Sequence, residues 1–313
     1  MFVAALASLL IASAPQETAP PPQDAASPVV DLGDIVVEGR RVEDLTREFV
    51  GEVAAPAQNR GLARWRDGVC IGAINLKRDM AQFIIDRVST VAADVGLRPG
   101  LPDCNLNVVV IATVDSTEFT QQFVAQRPRI FRVGGSGMDL GSGALNDFLT
   151  VDRPVRWWNI SIPVDENTGR RGVRLAADVD AAGDLVAPVV RLGAASRLTT
   201  QVVDDTQRAY IIVDVDQIQN ISLEQLADYI AFVSLAQVDP DADTSGFATI
   251  LNIFDDPQQT RTLTDWDKAY LRGLYETVRT RENFGAQQTE VVDSIVRAHR
   301  ALMAIRDAET SND

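Results

Sequence analysis

Residues 221–252, ISLEQLADYIAFVSLAQVDPDADTSGFATILN, constrain the fold of this chain more than any other stretch. Ser222 precedes an apolar-periodic run and Gln225 lies three residues later, the spacing at which a hydroxyl and an amide cap a helix N-terminus reciprocally. Leu226, Ile230, Val233 and Gln237 then recur at helical spacing, and Tyr229 and Phe232 widen the stripe. A helix this apolar must be buried over much of its surface. Pro240 is expected to help stop it, since proline lacks the amide and disfavours helix in the residue before it. The acidic loop DPDADTSG and a short apolar return follow.

The remainder of the chain has the means to cover such a helix. Its 313 residues suffice for one large or two ordinary domains, and a 46% hydrophobic content supplies a sizeable core. A net charge of −15 excludes nucleic acid as a partner, because binding its backbone needs clustered Lys and Arg. The start, FVAALASLLIASA, resembles the apolar region and small-residue cleavage site of a secretory signal, over residues 1–14. It is too short to span a bilayer comfortably, and no other stretch approaches that length, so no membrane span is expected after signal removal. Residues 15–42 form a Pro- and Ala-rich tether. It contains DIVVEGRR, which resembles the TonB-box region of outer-membrane receptors; the alternative is an edge strand or exposed linker. In an exported protein the two cysteines, Cys70 and Cys104, suggest a disulfide, with two separate buried thiols as the alternative. Closing that loop would restrict the unfolded chain by roughly 3–4 kcal/mol in the entropy model.

Taken in order, the pattern predicts a short helix in EDLTREFVGEV, a strand in GVCIGAINL, and a helix from Lys77 to Val95 with Met80, Phe83, Ile84, Val88, Val91 and Val95 on its inner face. The almost wholly apolar NVVVIATV reads as a strand buried on both faces, parallel to the first across the intervening helix. A helix in STEFTQQFVAQR leads to the Gly-rich VGGSGMDLGSG, which lacks the lysine of a phosphate loop and reads as a flexible connection. RWWNISIPV alternates like a strand with one buried face, RLAADVDAAGDLVAPVVRL suggests a hairpin, and RAYIIVDVDQI is a further apolar strand. LTDWDKAYLRGLYETV predicts a helix capped by Thr264, with Trp266, Ala269, Tyr270 and Leu274 inward, and a last helix carries Val291, Ile295, His299 and Leu302 on one stripe. The fold class is α+β, a mixed sheet with packed helices. The main domain covers residues 43–280, and a C-terminal helix and tail cover 281–313.

From Arg64 to Tyr275 this succession resembles a zincin-like family of the bacterial envelope, with relatives expected among secreted alphaproteobacterial proteins. The shared features are an Arg-Trp entry to the first strand, the long helix, the buried strand, an edge strand, the capped helix, an Ile-Leu-Asn return and LTDWDKAYLRGLY at the close. The resemblance implies a three-layer, metallopeptidase-like fold. It also implies that the chemistry is gone. A zincin needs two histidines at i and i+4 with a glutamate beside the first. In the register set by Leu235-Ala236, those positions hold Tyr229, Ile230 and Val233.

Other constellations are no more complete. His299 is the only histidine, so a Ser-His-Asp triad would have to use it, and it is expected to be a surface or half-buried helix residue. Carboxylates pair at Asp204-Asp205, Asp214 with Asp216, Glu224 with Asp228, and Asp255-Asp256, and in so acidic a chain most are expected to form solvated faces. Asp239, Asp241 and Asp243 alternate like the opening of a calcium loop, but Thr244 and Ile250 stand where an EF-hand has its Gly and Glu; a turn capped by its own side chains is the competing reading. No cofactor or metal is therefore expected. The expected function is non-catalytic: binding an envelope protein or peptide, or scaffolding, with the old substrate cleft surviving as a peptide groove beside an edge strand. The alternatives are a carboxylate-dependent, glycosidase-like hydrolase and a TonB-linked accessory protein.

Overall fold

A computed structural model describes residues 41–57, 60–131, 137–174, 179, 188–190, 199–280 and 284–310. The signal-like segment, the tether up to residue 40 and with it most of the DIVVEGRR stretch lie outside these residues, as do most of the expected hairpin and part of the Gly-rich connection; Val42, the last residue assigned to the tether, opens α1. The elements in chain order are α1 (Val42–Val53), β1 (Gly68–Val69), β2 (Ile71–Ile74), α2 (Arg78–Asp94), β3 (Arg98–Pro99), β4 (Val108–Thr113), α3 (Ser116–Gln126), α4 (Pro128–Phe131), α5 (Gly141–Thr150), β5 (Val155–Asp165), β6 (Val202–Asp214), α6 (Leu223–Leu235), α7 (Asp265–Glu276) and α8 (Phe284–Thr310). A 3-10 turn, Ile250–Phe254, precedes α7 and is the short apolar return.

The main sheet runs β2-β4-β6-β5. Its first three strands are parallel, and β5 pairs antiparallel to β6 with an irregularity at Ile160/Ser161. Alternation along the strands feeds two cores. Trp157 and Ile211 join α1, α2, α6, α7 and α8 on one face, whereas Trp158, Ile160, Tyr210 and Ile212 join α3 and α5 on the other. Helices therefore cover both sides of a mixed sheet, the α+β layering expected of the sequence. The expected strand with one buried face, β5, is instead buried on both, because the second core needs Trp158 as the first needs Trp157.

The first strand is broken at Cys70, which pairs with Cys104 at a Cα–Cα distance of 6.0 Å. The bridge ties the entry of β2 to the loop before β4, within the usual reach of a disulfide. On α2, Ile84, Val88 and Val91 are buried, but Met80 and Phe83 are exposed. The contacts α2 makes with α6 and β2 use only a narrow stripe, so the wider face expected from periodicity is not filled.

The capping box of α6 forms as expected: Gln225 N donates to the Ser222 hydroxyl at 3.1 Å, and the Ser222 amide donates to the Gln225 side chain at 3.0 Å. The stop does not involve Pro240. The helix ends at Leu235, five residues earlier, and the chain leaves extended to bridge Val238 to Ala54. Its last carbonyls are satisfied by side chains from elsewhere. Trp65 Nε1 donates to Ser234 O and Tyr275 Oη to Leu235 O, both at 2.8 Å. The α7–α8 contact depends on Gly273, where an added Cβ would lie 2.4 Å from an Ile295 side-chain atom and 2.5 Å from its backbone.

Candidate functional site

Every residue of α6 from Gln225 to Leu235 is buried. Tyr229 packs between Trp157 and Phe254, with ring centroids 6.0 and 5.0 Å away, and Ile230 and Val233 are fully enclosed. Burial pushes the Tyr229 phenol well above its ordinary range, which Arg153 only partly opposes. Neither imidazole nor carboxylate is present at these three positions, and hydrocarbon fills the space between them, so they do not fit a zinc ion. Trp157 Nε1 donates to Val238 O at 3.1 Å and Asn159 Nδ2 to Ala236 O at 3.3 Å, sewing β5 to the segment after α6. The hollow left beside Trp157 and Pro240 is about 20 Å³, room for little more than one water.

The carboxylate pairs come apart in three dimensions. Asp228 is fully buried and accepts from Arg87, Thr262 and the Leu263 amide, while Glu224 is exposed. Asp214 is buried under the Ser116 and Asp216 amides, with the Asp216 side chain outward. Asp255 and Asp256 are both exposed. Asp204 and Asp205 alternate along β6 into different hollows, one lined by Leu274 and the other by Trp65 and Arg171. The expectation of solvated faces thus fails for Asp204, Asp205, Asp214 and Asp228, because each has found buried donors.

In the acidic loop, Asp239 accepts from the Asp241 amide at 2.9 Å and Asp243 from the amide and hydroxyl of Ser245 at 3.2 and 2.7 Å. Asp241 pairs with Arg153. This is a turn closed on its own side chains, and among the described residues no three His, Cys, Asp or Glu groups gather where a metal ion would be held. His299 is neither exposed nor half-buried. It is enclosed against Trp266 with ring centroids 5.0 Å apart, its Nε2 has no partner among the described residues, and burial lowers its pKa.

A concentration of buried charge lies at a corner that the sequence marks by Arg64-Trp65 and by Asp204-Asp205. Arg60 Nε and the Gly61 amide donate to Asp204 at 2.7 and 3.1 Å. Arg66 reaches Asp205 at 2.5 Å and Glu166 at 2.8 Å, and Arg279 reaches Asp205 at 2.7 Å. Arg64 instead lies over the Tyr275 ring and uses Nη1 to bond Leu274 O, Tyr275 O and Thr277 O at 2.5, 2.5 and 3.3 Å. A cation therefore caps the negative end of α7. At the other end, fully buried Asp267 accepts from Thr249, the Ile250 amide and Thr264, and burial pushes its carboxyl up to about 6 against those bonds. Burial, with Arg279 second, lowers Arg64 to about 10. A cavity of about 190 Å³ opens between this corner and the start of α8. Its wall is mostly apolar, including Leu62, Val203, Leu274, Val278 and Val291, with Arg64 and Arg279 at its polar side.

The Cys70–Cys104 disulfide lies where the sequence suggested it. The arginine corner gave only a local hint, since Arg60, Asp204 and Arg279 are far apart along the chain. Comparison of the chain with protein-family models, curated proteins and solved structures found no match to any of them.

Proposed function

We propose that this chain is a non-catalytic binding or scaffolding domain of the cell envelope, secreted or periplasmic, on a zincin-like fold whose metal chemistry has been lost. The observation that carries the reading is the packing of Tyr229, Ile230 and Val233, where the resemblance places the ligands and the general base. A catalytic helix must present donors to a metal and water; this one presents rings and branched hydrocarbon to other side chains. The Cys70–Cys104 bridge suits an oxidising compartment. Among the described residues no helix is long and apolar enough to cross a membrane. The partner class is an envelope protein, peptide or small ligand.

Elemental analysis and a peptidase assay on the purified protein test the reading together. No stoichiometric zinc and no cleavage of unfolded protein substrates are expected, and Val233→His alone should not restore either. One tightly held zinc per chain, or peptide cleavage lost on substituting Tyr229, would overturn it.

A further inference from the structure

We infer that the cavity at the arginine corner is a binding site for a small monoanion with an apolar body, a carboxylate on a short acyl or aryl chain. The inference deepens the binding reading given above. Size sets the first limit. At about 190 Å³ the cavity is somewhat larger than the roughly 150 Å³ apolar cavity that admits benzene, and below the 300 Å³ or more of a site for larger organic ligands. Its wall sets the second, since Ala54, Leu62, Val203, Leu274, Val278 and Val291 offer no polar atom to a ligand's side chains. Such a surface favours the transfer of hydrocarbon from water.

Charge sets the third limit. Among the described residues, Arg60, Arg64, Arg66 and Arg279 meet Asp204, Asp205 and Glu166, four cations against three anions. Among the described residues, the guanidinium without a carboxylate is Arg64, and it lines the cavity. Its three hydrogen bonds all use Nη1 and go to backbone carbonyls, so its charge is directed but not neutralised. The lowered proton affinity of Arg64 has the same origin, burial beside Arg279. One negative charge brought to the polar side of the cavity would balance the cluster, and the planar fork of a guanidinium matches a carboxylate. A second negative charge would meet Asp204 on the same wall.

Calorimetric titration of the full chain with sodium octanoate and with 1-octanol tests this. Octanoate is expected to bind, and octanol about tenfold or more weakly, for the loss of one charge-assisted contact. N-acetylphenylalanine and its amide form a second pair: tighter binding of the acid than of octanoate assigns the site to peptide C-termini, and the reverse assigns it to acyl carboxylates. Gln288 is exposed on the rim, so charge can be added there without entering the core. Gln288→Glu should weaken octanoate by about threefold and Gln288→Lys should tighten it, with octanol unmoved by either. Val278→Trp, starting from a half-exposed wall position, should fill the cavity and abolish binding while the unfolding midpoint is kept. Equal binding of octanoate and octanol, no binding at millimolar concentration, or full binding by a folded Val278→Trp protein would each overturn the inference. A zinc-free, inactive protein that fails these titrations would lose this site and keep the non-catalytic reading.

Discussion

The slot beside α6 and the corner beneath α8 are built on opposite plans. At the slot, Tyr229, Ile230 and Val233 are buried among aromatic and branched side chains. At the corner, a ring of arginines and aspartates props open about 190 Å³. The difference follows from what each region must satisfy. Hydrocarbon around Val233 gains dispersion and loses hydration by closing up, so nothing holds the slot apart. Guanidinium and carboxylate groups must keep their hydrogen-bond geometry, and this holds the loop at Arg60, the start of β6 and the end of α7 at fixed separations. A hollow survives where charge acts as the spacer.

The contrast can be broken most forcefully from the corner. Asp205→Ala removes the anion shared by Arg66 and Arg279, leaving both guanidinium groups to share Glu166, and is expected to cost about 3 kcal/mol in chemical unfolding. An unchanged midpoint would mean that the cluster does not hold the corner open. At the slot, Val233→Ala should cost about 1–3 kcal/mol by leaving a void in a packed core. A negligible cost would show that the slot is loosely filled after all.

Helix α7 joins the two regions, and pH addresses its far end. Asp267 titrates at about 6 when folded, against an ordinary value of 3.8, so the folded chain holds this proton more tightly than the unfolded one. Its contribution to stability is full below the unfolded value and is lost as pH rises through the folded one. Relative to Asp267→Asn, the natural protein should gain about 1 kcal/mol between pH 7 and pH 5, measured by unfolding at both. His299 shifts the other way but is common to both proteins, so it cancels in the difference. A difference that stays flat would mean that the Thr249, Ile250 and Thr264 donors offset the burial completely. The smallest effect is expected at Thr277, beside the cavity, whose buried hydroxyl has no partner among the described residues. Thr277→Val should lie within about 0.5 kcal/mol of neutral or be stabilising, because no hydrogen bond is lost with the oxygen. A marked loss would reveal a structural role for that hydroxyl and make the corner less open than it looks.

Local signals in the sequence went far for the elements. The Ser222–Gln225 and Thr264 caps, the buried β4 and the inward stripe of α8 are all consequences of nearest-neighbour chemistry and period, and they form as written. The cysteine pair was legible for a similar reason, since two such residues in a chain with an export-like start leave few partners. Where the reading failed, distant residues decided. Met80 and Phe83 have helical phase but find no neighbour to cover them. Helix α6 ends where Trp65 and Tyr275 reach its carbonyls, before Pro240 has any effect. Asp204, Asp205, Asp214 and Asp228 look like surface charge until the fold supplies their donors.

The sequence by itself pointed to most of the helices and strands, to the caps of α6 and α7, to the cysteine pair and to an α6 with no metal-ligating side chain at Tyr229, Ile230 or Val233, because each is a property of residue type at short spacing. The tertiary structure alone decided which carboxylates are buried, that the α6 slot is filled, and that a cavity lies beside Arg64. Those depend on side chains more than a hundred residues apart meeting within a few ångströms, as Arg60 meets Asp204 and Arg66 meets Asp205. Hydrogen-bond geometry and close packing act on distance in space, and no local pattern encodes it.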